Sequence, residues 1–295
     1  MRTSLLCLLL AAPFASIAQD PPKPAAEAAA EAEAPRPKVI DVAEKAGVKF
    51  NRGPARQDIG GRAEIIVPEG YVATNGDGSR TILKLFDNLT GENEVGLFAP
   101  ESFNWFVTFD WDGIGYVKDD EKDKLDAKKM LKSMQENNEE VNKIKKEQGL
   151  GTFTITGFDV PPNYNPETNN LEWALRLKDD ASGQSTVNYN VKVLGREGVM
   201  VVTLVCDPAD LTGLLPEFRK HLATFGFTEG HKYAEFKKGD KIAKVGLSAL
   251  VVGGGLAIAA KTGLLKKLIK PLILAVVAAG AWLKKLFTGR SSSSS

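Results

Sequence analysis

Apolar side chains recur along this chain with two periods. From Phe103 to Trp111 they alternate. Phe103, Trp105, Val107, Phe109 and Trp111 share one face, and Asn104, Phe106, Thr108 and Asp110 the other, which predicts a half-buried strand. Leu171, Trp173, Leu175 and Leu177 alternate with Glu172 and Arg176, and Val187, Tyr189, Val191 and Val193 alternate with Asn188, Asn190 and Lys192. Residues 199–206 are apolar on both faces and follow a Gly-Arg-Glu-Gly turn, the signature of a central strand. Shorter strands are expected over 63–68 and 152–158, the second running into a Pro-rich loop at 161–166.

The helical period appears in three places. Ser79 is placed to cap a short helix running to Leu85. The longest helix is expected over 123–148, opened by Asp123 and Asp126 and stopped by Gly149. Its apolar stripe, Leu131, Met134, Val141 and Ile144, is narrow, and the rest of its surface is charged and solvated. A third helix is expected near 214–224. The sum is an α+β body, an antiparallel β-meander with helices packed on its apolar face.

The two ends are patterned differently. Arg2, an apolar run from Leu5 to Ala12 and Ser16-Ile17-Ala18 predict a cleaved secretory signal over 1–18. Its roughly ten apolar residues fall short of the about 20 needed to span a bilayer. Cleavage removes Cys7 and leaves Cys206, at the end of an apolar run, as a buried inert thiol. Residues 19–38, rich in Ala, Glu and Pro, form a solvated tether, and the body occupies 39–240.

Residues 241–290 predict a membrane anchor of one or two helices, ahead of a Ser tail at 291–295. The uncharged run 245–260 is bounded by Lys244 and Lys261, whose stems can snorkel to lengthen it, and carries Ala249, Gly253 and Ala257 as a small-residue stripe for helix packing. A second apolar stretch, 271–283, has lysines only at its two ends. It either crosses the membrane or lies along the inner leaflet on anionic lipid. The expected location is the inner membrane, with the body facing the periplasm and the lysines from Lys261 to Lys270 inside.

Composition changes this picture in one respect. With 43% hydrophobic and 25% charged residues, the chain is ordinary globular material, not disordered, collagenous or disulfide-dense. The net charge of +1 hides a split: residues 241–295 hold nine basic residues and no acid, so residues 1–240 carry 29 basic against 37 acidic groups. An acidic body excludes nucleic acid as its partner. Inner-membrane lipid is the expected partner, together with self or another membrane protein through the small-residue stripe.

Candidate chemistry is sparse. The sequence holds no nucleophile elbow, P-loop, dinucleotide fingerprint, zincin motif or paired C-x-x-C. His221 and His231 lack metal-ligand spacing. Asp110, Asp112 and Glu121 fall at calcium-loop positions, but Ile114 and Lys118 occupy positions that need oxygen ligands, so an acidic loop without metal is expected. Trp105, Trp111 and Trp173 are expected in the core. The polar sides of neighbouring strands would gather Glu172, Arg176, Asn188, Asn190 and Lys192 into one binding face. No cofactor is called for.

Seven segments, in order, carry a family resemblance: VPEGY (67–71), GLFAPE (96–101), NWFVTFDWDGIGYVKDD (104–120), LDAKKMLKSM (125–134), NLEWALRL (170–177), VNYNVKVLGREGVMVVTLV (187–205) and HKYAEFKKGDKIAKVGLSALVVGGG (231–255). They resemble the bacterial DUF2167 family, a domain of unknown function described as predicted membrane-anchored. The resemblance implies an envelope protein with a C-terminal anchor and carries no activity. A looser similarity links 195–211 and 215–227 to the photosystem-accessory-protein-like fold, a helix-flanked antiparallel sheet. The function expected is a non-catalytic interaction or scaffolding module. The alternative is a hydrolase or lipid-modifying enzyme using carboxylates such as Asp110, Asp112 or Glu172.

Overall fold

The computed structural model describes residues 38–119 and 125–252. The expected signal, Glu121, Gly253, Ala257, the second apolar stretch and the Ser tail lie outside the described residues, as does the tether apart from its last residue, Lys38.

Two antiparallel meanders meet edge to edge. The first runs through β4 (Tyr71–Asn75), β5 (Glu94–Pro100) and β6 (Phe106–Asp112), with the short β1 (Asn51–Arg52) outside β4. The second runs through β7 (Phe153–Asn165), β8 (Asn170–Asp179), β9 (Ser185–Leu194) and β10 (Val199–Cys206). Pairing of β6 with β10 joins them into one eight-stranded sheet in the order β1-β4-β5-β6-β10-β9-β8-β7. The doubly apolar β10 is therefore central. A three-stranded sheet, β11-β3-β2, is formed by β2 (Ala55–Ile59), β3 (Ala63–Val67) and β11 (Gly226–Phe227).

Both faces of the large sheet are covered, where the sequence pattern predicted helices on one. The small sheet and α4 (Leu211–Leu222) pack on one face, burying Ile65, Val67 and Phe218 against Phe109, Tyr189, Val202 and Leu204. On the other face, α1 (Val39–Lys45) and α2 (Gly76–Leu85) cover the first meander, with Ile40, Ile82 and Phe86 against Leu97 and Phe106. The second meander is covered there by α3 (Ala127–Glu147) and α5 (Leu247–Val251), with Met130, Met134 and Leu250 against Leu171, Trp173 and Leu177. Phe106, Thr108 and Asp110, the side of β6 that alternation left half-exposed, are consequently buried.

Local signals act mostly where expected, with three shifts. Asn75, not Ser79, caps α2: its Oδ1 accepts from the Gly78 N–H at 3.1 Å, and Ser79 is buried one turn later. The Pro-rich stretch continues β7 rather than ending it. Pro161 and Pro162 fall at a register shift between Val160 and Asn163 on an edge strand, where a missing N–H breaks no inner ladder. On α3, capped by Asp126 and followed by Gly149 at φ 70°, the buried stripe is Met130, Met134, Asn138, Val141 and Lys145. Two polar residues thus face inward from a helix whose polar positions were assigned to solvent.

The body also extends past Asp240. The carbonyl of Lys241 accepts from the Tyr116 N–H, and the Ala243 N–H donates to the Tyr116 carbonyl, both at 2.8 Å. This close passage needs the glycine before it, because Gly115 lies at φ 102° and a Cβ there would sit 2.6 Å from the Lys241 carbonyl oxygen. The chain then enters α5, whose Leu247, Leu250 and Val251 are buried. The run from Val245 predicted a membrane helix. Its described part is instead this five-residue helix in the core of the body, with Ala249 half-buried on it. Among the described residues no helix is long and apolar enough to cross a membrane.

Candidate functional site

The register of the large sheet decides which side chains meet. Lys192 pairs with Leu171 on one side and Val201 on the other, and Val201 pairs with Asp110. Asn190 pairs with Trp173 and Thr203, and Asn188 with Leu175 and Val205. Residues opposite one another in a ladder share a face. The polar side of β9 therefore lies with the apolar side of β8, and with Thr203 and Asp110, beneath α3 and α5.

A cavity of about 130 Å³ opens there, between the sheet and the two helices. Asp110, Asp112, Asn188, Asn190, Lys192 and Thr203 supply its sheet side, Met134 and Asn138 come from α3, and Leu250, Val251 and Val252 form its cover. The cover is tied to α3 by the Asn137 Nδ2–H, which donates to the Val252 carbonyl at 3.0 Å.

Its polar groups are only partly satisfied. The Thr203 hydroxyl donates to Asn190 Oδ1 at 3.2 Å, and Asn138 Nδ2–H donates to the Phe153 carbonyl at 2.7 Å. Four lining residues nevertheless carry a buried polar atom with no partner: Asp110 Oδ1, Asn138 Oδ1, Asn188 Oδ1 and Trp173 Nε1. Each of these side chains is more than nine-tenths buried. An unpaired buried polar group costs about 1–3 kcal/mol, so four around one space make it receptive to a polar guest, water or ligand.

Charge is concentrated at one end. Lys192 is 7% exposed, and burial lowers its pKa against the opposing pull of Asp112 and Asp110. Burial and the neighbouring Glu94 carboxylate push Asp110 up to about 8, with Thr108 and Lys192 acting the other way. Asp112 is raised by burial too, again opposed by Lys192. At neutral pH the site thus holds a protonated Asp110 near a buried lysine whose pKa is lowered.

The expected polar face divides in two. Asn188, Asn190 and Lys192 line the cavity, whereas Glu172 and Arg176 lie on the opposite face of the sheet. There Glu172 accepts from the Tyr189 hydroxyl at 2.6 Å, and Arg176 Nε donates to Asp159 at 3.0 Å. The reason is register: the inward sides of β8 and β9 were assumed to coincide, and pairing Trp173 with Asn190 offsets them by one residue. Of the acidic-loop residues, Asp110 and Asp112 meet at the cavity and Glu121 lies outside the described residues. No group of three or more His, Cys, Asp or Glu side chains could hold a metal among the described residues.

Elsewhere the chemistry is structural. His221 packs 4.6 Å from the Tyr71 ring, with its pKa lowered by burial. Cys206 is buried and pushed up to about 12 by that burial. The alternation missed Asn138 and Trp173 as site residues. Asn138 had a usable signal, since it falls in phase with Met134 and Val141 on the buried stripe. Trp173 had none, because an indole N–H without a partner looks like any core tryptophan in sequence.

Fold and site together define an α+β protein built on one two-sided antiparallel sheet with a polar cavity in its interior. The chain belongs to the family described as protein of unknown function (DUF2167), whose model matches residues 51–282. No curated protein matches the sequence significantly. Among solved structures it is similar to the solution structure of cyanobacterial PsbP (CyanoP) from Synechocystis sp. PCC 6803. That likeness has 10% identity and a TM-score of 0.37, over 61% of this chain and 94% of the other.

Proposed function

We propose that this protein is a non-catalytic binding module of the bacterial envelope, held at the inner membrane by its C-terminal segment, and that it takes a small polar ligand into the cavity under α3 and α5. The cluster of unpartnered buried atoms around Lys192 carries the reading. A ligand that accepts from Lys192 and the Trp173 N–H, and donates to Asn138 and Asn188, would satisfy groups the protein leaves unpaired. Its apolar side would rest on Met134 and Leu250. A cavity of about 150 Å³ holds benzene, so a ligand of about six heavy atoms is the right size. Export rests on the signal-like residues 1–18. Membrane attachment rests on the apolar, acid-free stretch beyond Val252, since the part of the run before it is taken up by the body.

Thermal unfolding of the full chain in detergent, with small amino acids, short amides and monosaccharides as probes, tests the binding. A ligand at about 100 times its Kd adds about 2.7 kcal/mol, a rise of a few degrees in Tm. One class should raise Tm in the wild type and leave Asn188→Leu unchanged. No rise with any probe would overturn the reading.

One observation favours a second reading, a carboxylate-dependent hydrolase. Asp110, raised to about 8, is in the protonated state a general acid requires, and Asp112 lies two residues away on the same strand. Glu172 takes no part, being on the other face. Turnover of an ester or glycoside probe that vanishes in Asp112→Asn would replace binding with catalysis.

A further inference from the structure

Large apolar side chains are seldom exposed in this body, and two of them sit together. Phe236 is 37% exposed and Ile242 is 46% exposed. The Phe236 ring centroid lies 4.2 Å from that of Tyr116, and Ile242 is bridged to Tyr116 in a parallel pair, so all three side chains gather at one spot. The same short segment exposes Lys237, Lys238 and Lys244. Its acids are already engaged. Asp240 accepts from Arg196 Nε and Nη2 at 2.7 and 2.8 Å, and Glu235 accepts from the Lys232 N–H at 2.9 Å. The result is an aromatic and aliphatic knob with a lysine fringe. That arrangement suits the boundary between lipid headgroups and acyl chains, where apolar groups enter and lysines meet phosphate.

The sequence beyond Lys244 favours the same occupant. Eight residues past that lysine the described body ends at Val252, and residues 253–295 contain seven basic residues, no acid and the second apolar stretch. We infer that the face formed by Tyr116, Phe236 and Ile242 with Lys237, Lys238 and Lys244 docks the folded body onto an anionic phospholipid surface. It is a contact separate from the C-terminal segment. The inference rests on the membrane-held part of the proposed function and is independent of the ligand.

The test uses the full chain in a Cys7→Ser background, with a fluorophore on Ile242→Cys or, as a control on the small sheet, on the exposed Ile66→Cys. Buried Cys206, its thiol pushed up to about 12, leaves the label to the introduced cysteine. Collisional quenching by acrylamide is measured with vesicles of phosphatidylcholine alone or mixed with phosphatidylglycerol. On anionic vesicles, quenching at position 242 should fall by roughly threefold or more while position 66 stays open. Reversing Lys237, Lys238 and Lys244 to Glu should restore it while the chain stays bound, each lost lysine weakening the contact about fivefold. Equal quenching at 242 and 66 on vesicles that hold the chain would overturn the docking face and spare membrane attachment. Failure to bind either vesicle would overturn both. Shielding of position 242 in detergent that rises with protein concentration at a fixed ratio of detergent to protein would give the face to contact between copies and overturn the lipid assignment.

Discussion

Asp110 carries a carboxyl that is ionised in water and sits buried in the body. Burial and Glu94 raise its carboxyl to about 8, so over the interval from about 4 to about 8 the folded protein keeps a proton that the unfolded chain has lost. Folding stability therefore falls as pH rises through that interval, by about 1.4 kcal/mol per pH unit from this group. Asp110→Asn removes the titration. Urea unfolding at about pH 5 and pH 7 should show the wild type losing stability relative to the variant, and parallel curves would mean the carboxyl is not raised. Lys192 works in the opposite sense on the same group. Lys192→Met should move the Asp110 midpoint above its value of about 8, a change that carbon-13 titration of the carboxyl would read. The residue types of this pair were legible in sequence, and their meeting was not, because it runs through Val201 on the strand between them.

Between elements, α3 is fastened to β7 by Gln135, whose Nε2–H donates to the Ile155 carbonyl at 3.0 Å, and by two asparagines that act differently. Asn142 imitates a backbone partner: its Nδ2–H donates to the Phe153 carbonyl at 2.7 Å and its Oδ1 accepts from the Phe153 N–H at 3.2 Å. Asn138 donates to that same carbonyl and leaves its Oδ1 unpaired at the cavity. Asn142→Ala strands the Phe153 N–H and should cost about 1–3 kcal/mol. Asn138→Leu leaves the carbonyl with Asn142 and removes an unpaired atom, so its stability should stay within about 1 kcal/mol of wild type while the cavity fills. Urea midpoints of the two variants check the order, and the reverse order would make Asn138 the structural fastener. Helical periodicity placed the end of α3 within one residue and its start four residues early, the helix beginning at Ala127 behind the Asp126 cap. It misread the inner face because polar residues were sorted to solvent, whereas a helix over an irregular sheet edge can bury side chains that bond to the strand beneath.

At the scale of the whole molecule, the folded body runs further along the chain than the charge pattern suggests. Residues 241–252 complete the hydrogen bonding of Tyr116 and bury Leu247, Leu250 and Val251. Each fully buried side chain of that kind is worth about 1.5–3 kcal/mol, so a chain ending at Asp240 should lose on the order of 5 kcal/mol, close to the whole stability of an ordinary domain. A chain ending at Val252 should unfold at a midpoint close to that of the full body. Circular dichroism melts of the two truncations separate the cases. If the Asp240 chain melted like the Val252 chain, α5 would be an appendage, and the cavity would have no necessary cover.

Sequence alone determined the features that depend on neighbours in the chain. These are the alternation of the strands, the central place of Val199–Cys206, the cap and stop of α3, the acidic body against a basic C-terminal stretch, and the segments that mark the family. Tertiary structure decided the rest. Alternation assigns two sides to each strand, but only register says which side of one strand lies with which side of the next. A single-residue offset between β8 and β9 was enough to send Glu172 and Arg176 to one face and Asn188, Asn190 and Lys192 to the other. An apolar run likewise looks the same whether lipid or protein covers it. The burial of α5 was settled by the surface that α3 and the sheet leave open, which no local pattern records.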